Sequence, residues 1–149
     1  MGQKKKVFMC FALATNTSLL VMDEPSNGLD IPSKSQFRKV IVSGMTDEKA
    51  VIISTHQVRD IDSLLDHVVI IDGTRVLLNE SVKTICEKLY FVEQGMNEST
   101  DTALYVQPSV QGNSVIFPNT YNEETNLNLE VLFNAMLTER EKMQFLFNK

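Results

Sequence analysis

The sequence predicts an α/β fold, in which a parallel sheet is flanked by helices, followed by a small α+β C-terminal extension. Two short and almost wholly apolar runs, SLLVM (18–22) and AVIIS (50–54), have the length and composition of strands buried on both faces. A helical pattern separates them, and strands that alternate with helices indicate a parallel sheet. Short strands and polar loops follow residue 88. We therefore predict two regions, 1–88 and 89–149.

The first region contains the helices that would cover the sheet. Residues 4–14 include good helix formers and neither Gly nor Pro, which predicts a helix. Pro32 suits the first turn of a second helix, because its missing N–H has no partner to lose there. The buried stripe of this helix would comprise Phe37, Val40 and Ile41.

Weaker patterns predict the remaining elements. Apolar residues recur through 58–65 and indicate a third helix, and the Asp72-Gly73 pair inside VVIIDGTRVLLNES indicates a hairpin. A short helix is expected over 81–88. In the extension we expect three short strands, then an amphipathic helix whose apolar stripe is Leu129, Leu132, Phe133 and Met136. Thr138 and Glu141 have the spacing of a capping box for a last helix.

Composition argues against several classes of function. The net charge of -5 disfavours a general nucleic-acid binder, so no nucleic acid is expected as a partner. His56 and His67 lack ligand spacing with each other or with the cysteines, so we expect no zinc site. Cys10 and Cys86 lie in apolar patterns, which suggests reduced thiols in the core.

The first stretch, MGQKKKVFMCFALATN, has two interpretations. Three lysines, an apolar run and small residues at 12 and 14 fit an export signal with its cleavage site. The same residues fit a helix of the domain. Cleavage after Ala14 would then remove an element that the fold needs.

Two acidic residues follow the first apolar run. Asp23 and Glu24 precede Pro25, at the edge of a parallel sheet where open α/β folds bind their ligands. One carboxylate there can hold Mg²⁺ through water against nucleotide phosphates, and a second can orient the attacking water. The alternative is an acidic loop with no catalytic role.

The second apolar run ends in the same way. Thr55, His56 and Gln57 follow AVIIS, so an imidazole is expected at the same sheet edge. A lone His is more often structural or on the surface. At this edge, however, it can donate a hydrogen bond to a terminal phosphate.

Together these residues resemble the ATP-binding subunits of ABC transporters. LLVMDEP is similar to the Walker B segment of that family, SNGLD to its D-loop, and STHQ to its switch-histidine loop, in the family's order and spacing. The details most resemble bacterial exporter ATPases. The resemblance covers about residues 2–87 and implies a partial sheet of the P-loop NTPase (ABC ATPase) type.

The resemblance implies a role for each matching residue. Asp23 would hold Mg²⁺ through water, Glu24 would be the catalytic carboxylate, and His56 would contact the γ-phosphate of ATP. Gly2 and Gln3 would be the remnant of the family's signature sequence. The loop that crosses the interface between two ATP-binding subunits would be Ser26, Asn27, Gly28, Leu29 and Asp30.

The signature match also bears on the first stretch. In such proteins a helix follows the signature, with its N-terminus directed at the γ-phosphate held by the partner subunit. KKKVFMCFALA would be that helix, which makes the export signal the minor interpretation.

The phosphate-binding loop of the family has the pattern G-x-x-x-x-G-K-[ST], and none of the six glycines here is followed by Lys. We therefore expect this chain to be the C-terminal half of such a domain, and to be inactive alone. An uncovered apolar patch and self-association are also expected.

The resemblance implies ATP and Mg²⁺ as cofactors of the complete protein. Its partners would be a transmembrane permease and a second ATP-binding subunit. It would be cytoplasmic, held on the inner face of the cell membrane through the permease. The alternatives are a non-catalytic fragment or remnant that binds a partner domain, and a soluble ABC ATPase unrelated to transport.

Overall fold

A computed structural model describes residues 2–110 and 112–147 of the chain. Packing divides the chain into two compact units, Met1–Leu64 and Leu65–Lys149. The boundary predicted between 88 and 89 follows sequence motifs rather than packing, and it stays a prediction. Both units mix helices with small sheets, so the chain has a mixed α/β fold.

The first unit contains two helices and two strands in alternation: α1 (Gly2–Ala14), β1 (Leu19–Asp23), α2 (Ile31–Gly44) and β2 (Ala50–Ser54). All four were predicted from the sequence to within two residues. β1 and β2 run parallel, from the pair Leu19 and Ala50 to the pair Asp23 and Ser54. Because the strands are parallel and in register, they end together at one edge.

The core of the first unit lies on one face of this strand pair. Its apolar residues come from both strands and both helices and include Met9, Leu13, Leu20, Met22, Phe37, Ile41, Val51 and Ile53. On the opposite face Leu19, Val21 and Ile52 are more than half exposed. The prediction that the strands are buried on both faces is therefore met on one face only. Val40 is also exposed, so it lies outside the buried stripe of α2.

The start of α2 explains why the chain turns where it does after β1. The carboxylate of Asp30 caps the helix, accepting a hydrogen bond from the Ser33 N–H at 2.9 Å. Pro32 lies in the first turn, as predicted.

The prediction of a helix over 58–65 is wrong, since two short 3₁₀ helices, Val58–Asp60 and Asp62–Leu64, occupy this segment. Aspartates at 60, 62 and 66 favour caps and turns over a helix interior.

The described residues of the second unit form five strands and three helices: β3 (His67–Asp72), β4 (Arg75–Ser81), α3 (Val82–Lys88), β5 (Leu89–Gln94), β6 (Tyr105–Ser109), β7 (Gly112–Pro118), α4 (Leu129–Thr138) and α5 (Arg140–Phe147). β3 and β4 form the predicted hairpin, which turns at Gly73 with a φ of 58°. The last three strands form an antiparallel sheet in the order β5-β7-β6.

The core of the second unit is more completely buried than the strand pair of the first. Its fully buried residues include Ile85, Leu89, Val115, Ile116, Leu132, Ala135, Met136 and Met143. Phe133, predicted on the buried stripe of α4, is 38% exposed. The capping box is also wrong, because Thr138 is the last residue of α4 and its hydroxyl donates to the Asn134 carbonyl at 2.8 Å.

Two further expectations concern cysteines and membranes. Cys86 is half-buried, but Cys10 is exposed on α1, so the prediction of a core thiol fails for Cys10. Among the residues described, no helix has the length and apolar character needed to span a membrane.

Candidate active site

The polar residues predicted at the sheet edge do come together there. Asp23 ends β1 and pairs with Ser54 at the end of β2. The hydroxyl of Ser54 donates a hydrogen bond to Oδ1 of Asp23. Glu24 follows directly, and its N–H donates to the Ser54 carbonyl at 2.9 Å. The residues after both strands therefore form one polar cluster.

The Glu24 carboxylate is held at both of its oxygens by the residues that follow β2. The His56 backbone N–H donates to Oε1 at 2.9 Å, and Nδ1 of the same residue lies 2.5 Å from this oxygen. The Thr55 hydroxyl donates to Oε2 at 3.0 Å. Hydrogen bonds to both oxygens fix the orientation of the carboxylate.

These contacts also set the ionisation of Glu24. Burial has the largest single influence on the pKa of Glu24 and raises it, because only 27% of the side chain is exposed to solvent. The hydrogen bonds from His56 and Thr55, and the positive charge that His56 can carry, act together in the opposite direction. The pKa of Glu24 therefore lies below its ordinary value of 4.5, and the group is ionised at neutral pH.

The backbone of Glu24 adopts an unusual conformation. Its φ is 44°, in the left-handed region that residues other than glycine rarely occupy. Strain of this kind costs about 1–3 kcal/mol and is concentrated at functional positions. At Glu24 this conformation accompanies the contacts of the carboxylate with Thr55 and His56.

The loop after Pro25 was predicted to cross an interface between subunits. Asn27 and Gly28 are exposed at its tip, and Gly28 has a φ of 75°. Ser26 and Leu29 are buried in the unit itself. In the described part of the chain the Ser26 hydroxyl has no hydrogen-bond partner. Asp30 caps α2, so its carboxylate has a local role in addition to any role at an interface.

The predicted signature remnant lies in the first turn of α1, which begins at Gly2. The surroundings of Gly2 and the side chain of Gln3 are outside the described part of the structure. Their role in contacting the nucleotide of a partner subunit stays a prediction.

Two hydroxyl residues that were not predicted from the sequence support the carboxylates. Ser54 and Thr55 donate to Asp23 and Glu24 respectively, and neither hydroxyl was assigned a role. Two consecutive hydroxyl residues at the end of a buried strand, across from two acids at the end of its parallel neighbour, are a signal that could have identified them.

The donors at this edge suit a hard cation. Asp23 and Ser54 offer carboxylate and hydroxyl oxygens, the kind of ligand that Mg²⁺ prefers. Across the described residues there is no cluster of three or more His, Cys, Asp or Glu side chains arranged to hold a metal directly. Mg²⁺ bound by one carboxylate through water, alongside nucleotide phosphates, needs no such cluster.

Comparison with known proteins finds ATP-binding proteins of transporters among those similar to this chain. No family model matches the chain. An uncharacterized ABC transporter ATP-binding protein of Methanocaldococcus jannaschii is 29% identical over 92 residues, which cover 62% of this chain and 35% of the relative. The chelated iron transport system membrane protein YfeB of Yersinia pestis is 31% identical over 87 residues, covering 58% and 29%. The energy-coupling factor transporter ATP-binding protein EcfA2 of Mycoplasmoides gallisepticum is 32% identical over 76 residues, covering 51% and 24%.

The chain combines a mixed α/β fold with a polar cluster at the ends of two parallel strands. The similarities identify it further, as carrying sequence of an ABC transporter nucleotide-binding domain. The chain spans about a third or less of the length of these three relatives.

Proposed function

We propose that this chain belongs to an ABC-type ATPase subunit that powers a membrane transporter of the exporter type. Its contribution would be the residues for ATP hydrolysis at the sheet edge where β1 and β2 end. The observation that carries the proposal is the Glu24 carboxylate, ionised and held at both oxygens by Thr55 and His56, next to Asp23. Catalysis of ATP hydrolysis depends mainly on positioning and on charge stabilisation, and this cluster is suited to both.

Each residue would have a distinct part in the reaction. Asp23 would hold Mg²⁺ through water, and that ion supplies charge stabilisation for the phosphates. Glu24 would orient the attacking water and accept its proton. His56 has Nδ1 next to Glu24, so Nε2 is the ring nitrogen that would face the γ-phosphate, and it would donate to it with both ring nitrogens protonated.

The rest of the ATPase would come from outside these 149 residues. The phosphate-binding pattern G-x-x-x-x-G-K-[ST] does not occur in them, and its backbone N–H groups and Lys are what bind the phosphates. A second ATP-binding subunit would meet the loop of residues 26–30 and the N-terminus of α1. We also propose that β1 and β2 belong to a larger P-loop type sheet.

The names of the relatives support a membrane transporter as the partner. They describe an energy-coupling factor transporter and a chelated iron transport system membrane protein. We propose a transmembrane permease as the partner of this chain, and a location on the inner face of the cell membrane.

Magnesium-dependent phosphate release from ATP tests the proposal. It is measured for this chain alone and for the product of the whole reading frame, established by sequencing the DNA upstream of the Met1 codon. The chain alone should show no turnover. If the frame encodes the phosphate-binding loop, its product should turn over ATP, and Glu24→Gln should reduce the rate about 100-fold or more.

Glu48→Gln is the matched control, since Glu48 is exposed in the same unit and should leave the rate unchanged. Turnover by the chain alone that Glu24→Gln abolishes would contradict the prediction of inactivity. A complete subunit whose rate is insensitive to Glu24→Gln would contradict the catalytic role.

One observation favours a second candidate, a partner-binding fragment without turnover. Leu19, Val21 and Ile52 form an exposed apolar face on the parallel strand pair, and such pairs are normally covered on both faces. A stop codon or a frameshift directly upstream of Met1 would favour this candidate.

A further inference from the structure

We propose that Thr55 is a positioning residue for Glu24, and that it is itself fixed by Gln57 and by Lys34 of α2. The inference rests on the proposed role of Glu24. It concerns a geometry, however, that can be measured without any turnover of ATP. A failure of the geometry and a failure of the proposed function are therefore distinguishable.

The first step is the direction of the Thr55 hydroxyl. The Gln57 backbone N–H donates to Oγ1 of Thr55 at 3.0 Å, and the hydroxyl donates to Oε2 of Glu24 at 3.0 Å. A hydroxyl has one proton to donate. Because an ionised carboxylate can only accept, the hydroxyl proton is directed at Oε2, while the N–H of Gln57 occupies a lone pair of Oγ1.

The second step is the anchor of Gln57. Its side-chain Oε1 accepts a hydrogen bond from Nζ of Lys34 at 3.0 Å. Lys34 lies in the first turns of α2, and its N–H donates to the Asp30 carbonyl at 2.9 Å. The segment that follows β2 is thus connected to a helix through a side chain as well as through the sheet.

The third step is that different residues hold the two carboxylate oxygens of Glu24. His56 occupies Oε1 through its N–H and its ring, while Thr55 occupies Oε2. A carboxylate held at one oxygen can still rotate about its terminal torsion, which is broad and soft. Holding the second oxygen restricts that rotation, so the hydroxyl of Thr55 supplies what His56 alone does not.

The test uses nuclear magnetic resonance of this chain at one pH near 7. The observed signals are the side-chain carboxyl carbon of Glu24 and the backbone amide of His56. Thr55→Val removes the hydroxyl at nearly constant shape and Thr55→Ser keeps it. Thr15→Val is the matched control, because Thr15 is an exposed residue of the same unit whose hydroxyl donates to the Ala12 carbonyl.

We expect Thr55→Val to shift the Glu24 carboxyl signal and to speed exchange of the His56 amide about threefold to tenfold, as for loss of one modest hydrogen bond. Thr55→Ser should restore both values, and Thr15→Val should move neither. Lys34→Met should shift the carboxyl signal in the same direction by a smaller amount.

Two results would overturn the proposal. One is a Glu24 carboxyl signal that is the same in Thr55→Val and in the wild type. The other is an equal shift in Thr55→Val and Thr55→Ser, which would assign the effect to shape rather than to the hydroxyl. If Thr55→Val does not fold, Lys34→Met tests the proposal instead. A Glu24 carboxyl signal that does not change in Lys34→Met would contradict the connection from Lys34 through Gln57 and Thr55 to Glu24.

Discussion

The two units of the chain differ in how completely they bury their apolar side chains. In the second unit Ile116, Leu132 and Met136 have no exposed surface. In the first unit Val21 is 66% exposed and Ile52 is 55% exposed, although both lie in the middle of strands. The candidate active site belongs to the first unit. The region with recognisable chemistry is therefore the one whose sheet is incompletely covered.

The two kinds of sheet explain this difference. An antiparallel sheet such as β5-β7-β6 can pack one face on a core and leave the other face exposed to solvent. A parallel pair such as β1 and β2 needs cover on both faces, and long connections are required to provide it. The second unit can thus complete its core alone, whereas the first has structure for one face only.

The closed core of the second unit is most sharply tested by Gly112→Ala. Gly112 has a φ of 153°, and a Cβ there would lie 2.0 Å from the Gln94 carbonyl oxygen. Backbone strain and overpacking together should lower the free energy of unfolding by about 4 kcal/mol, as measured by urea denaturation. Gly44→Ala is the control, because its Cβ meets no atom within 4 Å. A Gly112→Ala variant as stable as the wild type would contradict this packing of β7 against β5.

Leu132→Ala tests the same core through a side chain. Leu132 is fully buried on α4, so the lost contacts and the cavity should cost about 3 kcal/mol. Leu137→Ala, on the same helix but 39% exposed, should cost less than 1 kcal/mol. Equal losses in the two variants would show that the second unit does not bury α4 as described.

A smaller effect is expected in the first unit, from the pH dependence of its stability. The folded pKa of Glu24 is lowered, so the unfolded chain takes up this proton first as the pH falls. The contribution of Glu24 should be complete above about 4.5 and should be lost as the pH falls through the lowered folded value. Glu24→Gln should flatten the stability profile there, and Glu48→Gln should not. An unchanged profile in Glu24→Gln would contradict the hydrogen-bonded carboxylate.

The smallest effect on stability is expected on the exposed face of the strand pair. Val21→Thr combined with Ile52→Thr should change the free energy of unfolding by less than about 0.5 kcal/mol per site, since both side chains are mostly exposed. The same change should reduce the predicted self-association, measured by sedimentation at several concentrations. If the wild-type chain is a monomer at every concentration, this would contradict self-association through this face.

Sequence alone predicted the elements whose signals are local. Pro32 at a helix start, Asp72-Gly73 at a hairpin and the apolar runs of β1 and β2 are all confirmed. It also placed Asp23, Glu24 and His56 at one edge, because parallel strands bring their ends together. The roles of these residues in catalysis stay predictions.

What sequence reasoning could not supply depends on tertiary contacts. Val40 and Phe133 fit the helical periodicity but are exposed, because periodicity gives the direction of a stripe and not its width. Thr138 matches a capping pattern but donates to Asn134, a competing local bond that the pattern does not contain. The contact of Thr55 with Glu24 depends on the rotamers of two residues that are 31 positions apart.

Side chains alternate between the two faces of β1 and β2, so the exposed apolar face also includes polar residues of the candidate active site. Asp23 points to the same side of β1 as Leu19 and Val21, and Ser54 to the same side of β2 as Ile52. Any segment that covers this apolar surface must also border Asp23. Under the proposed function, assembly that covers the exposed face would then also remove water from around Asp23, the residue proposed to hold Mg²⁺.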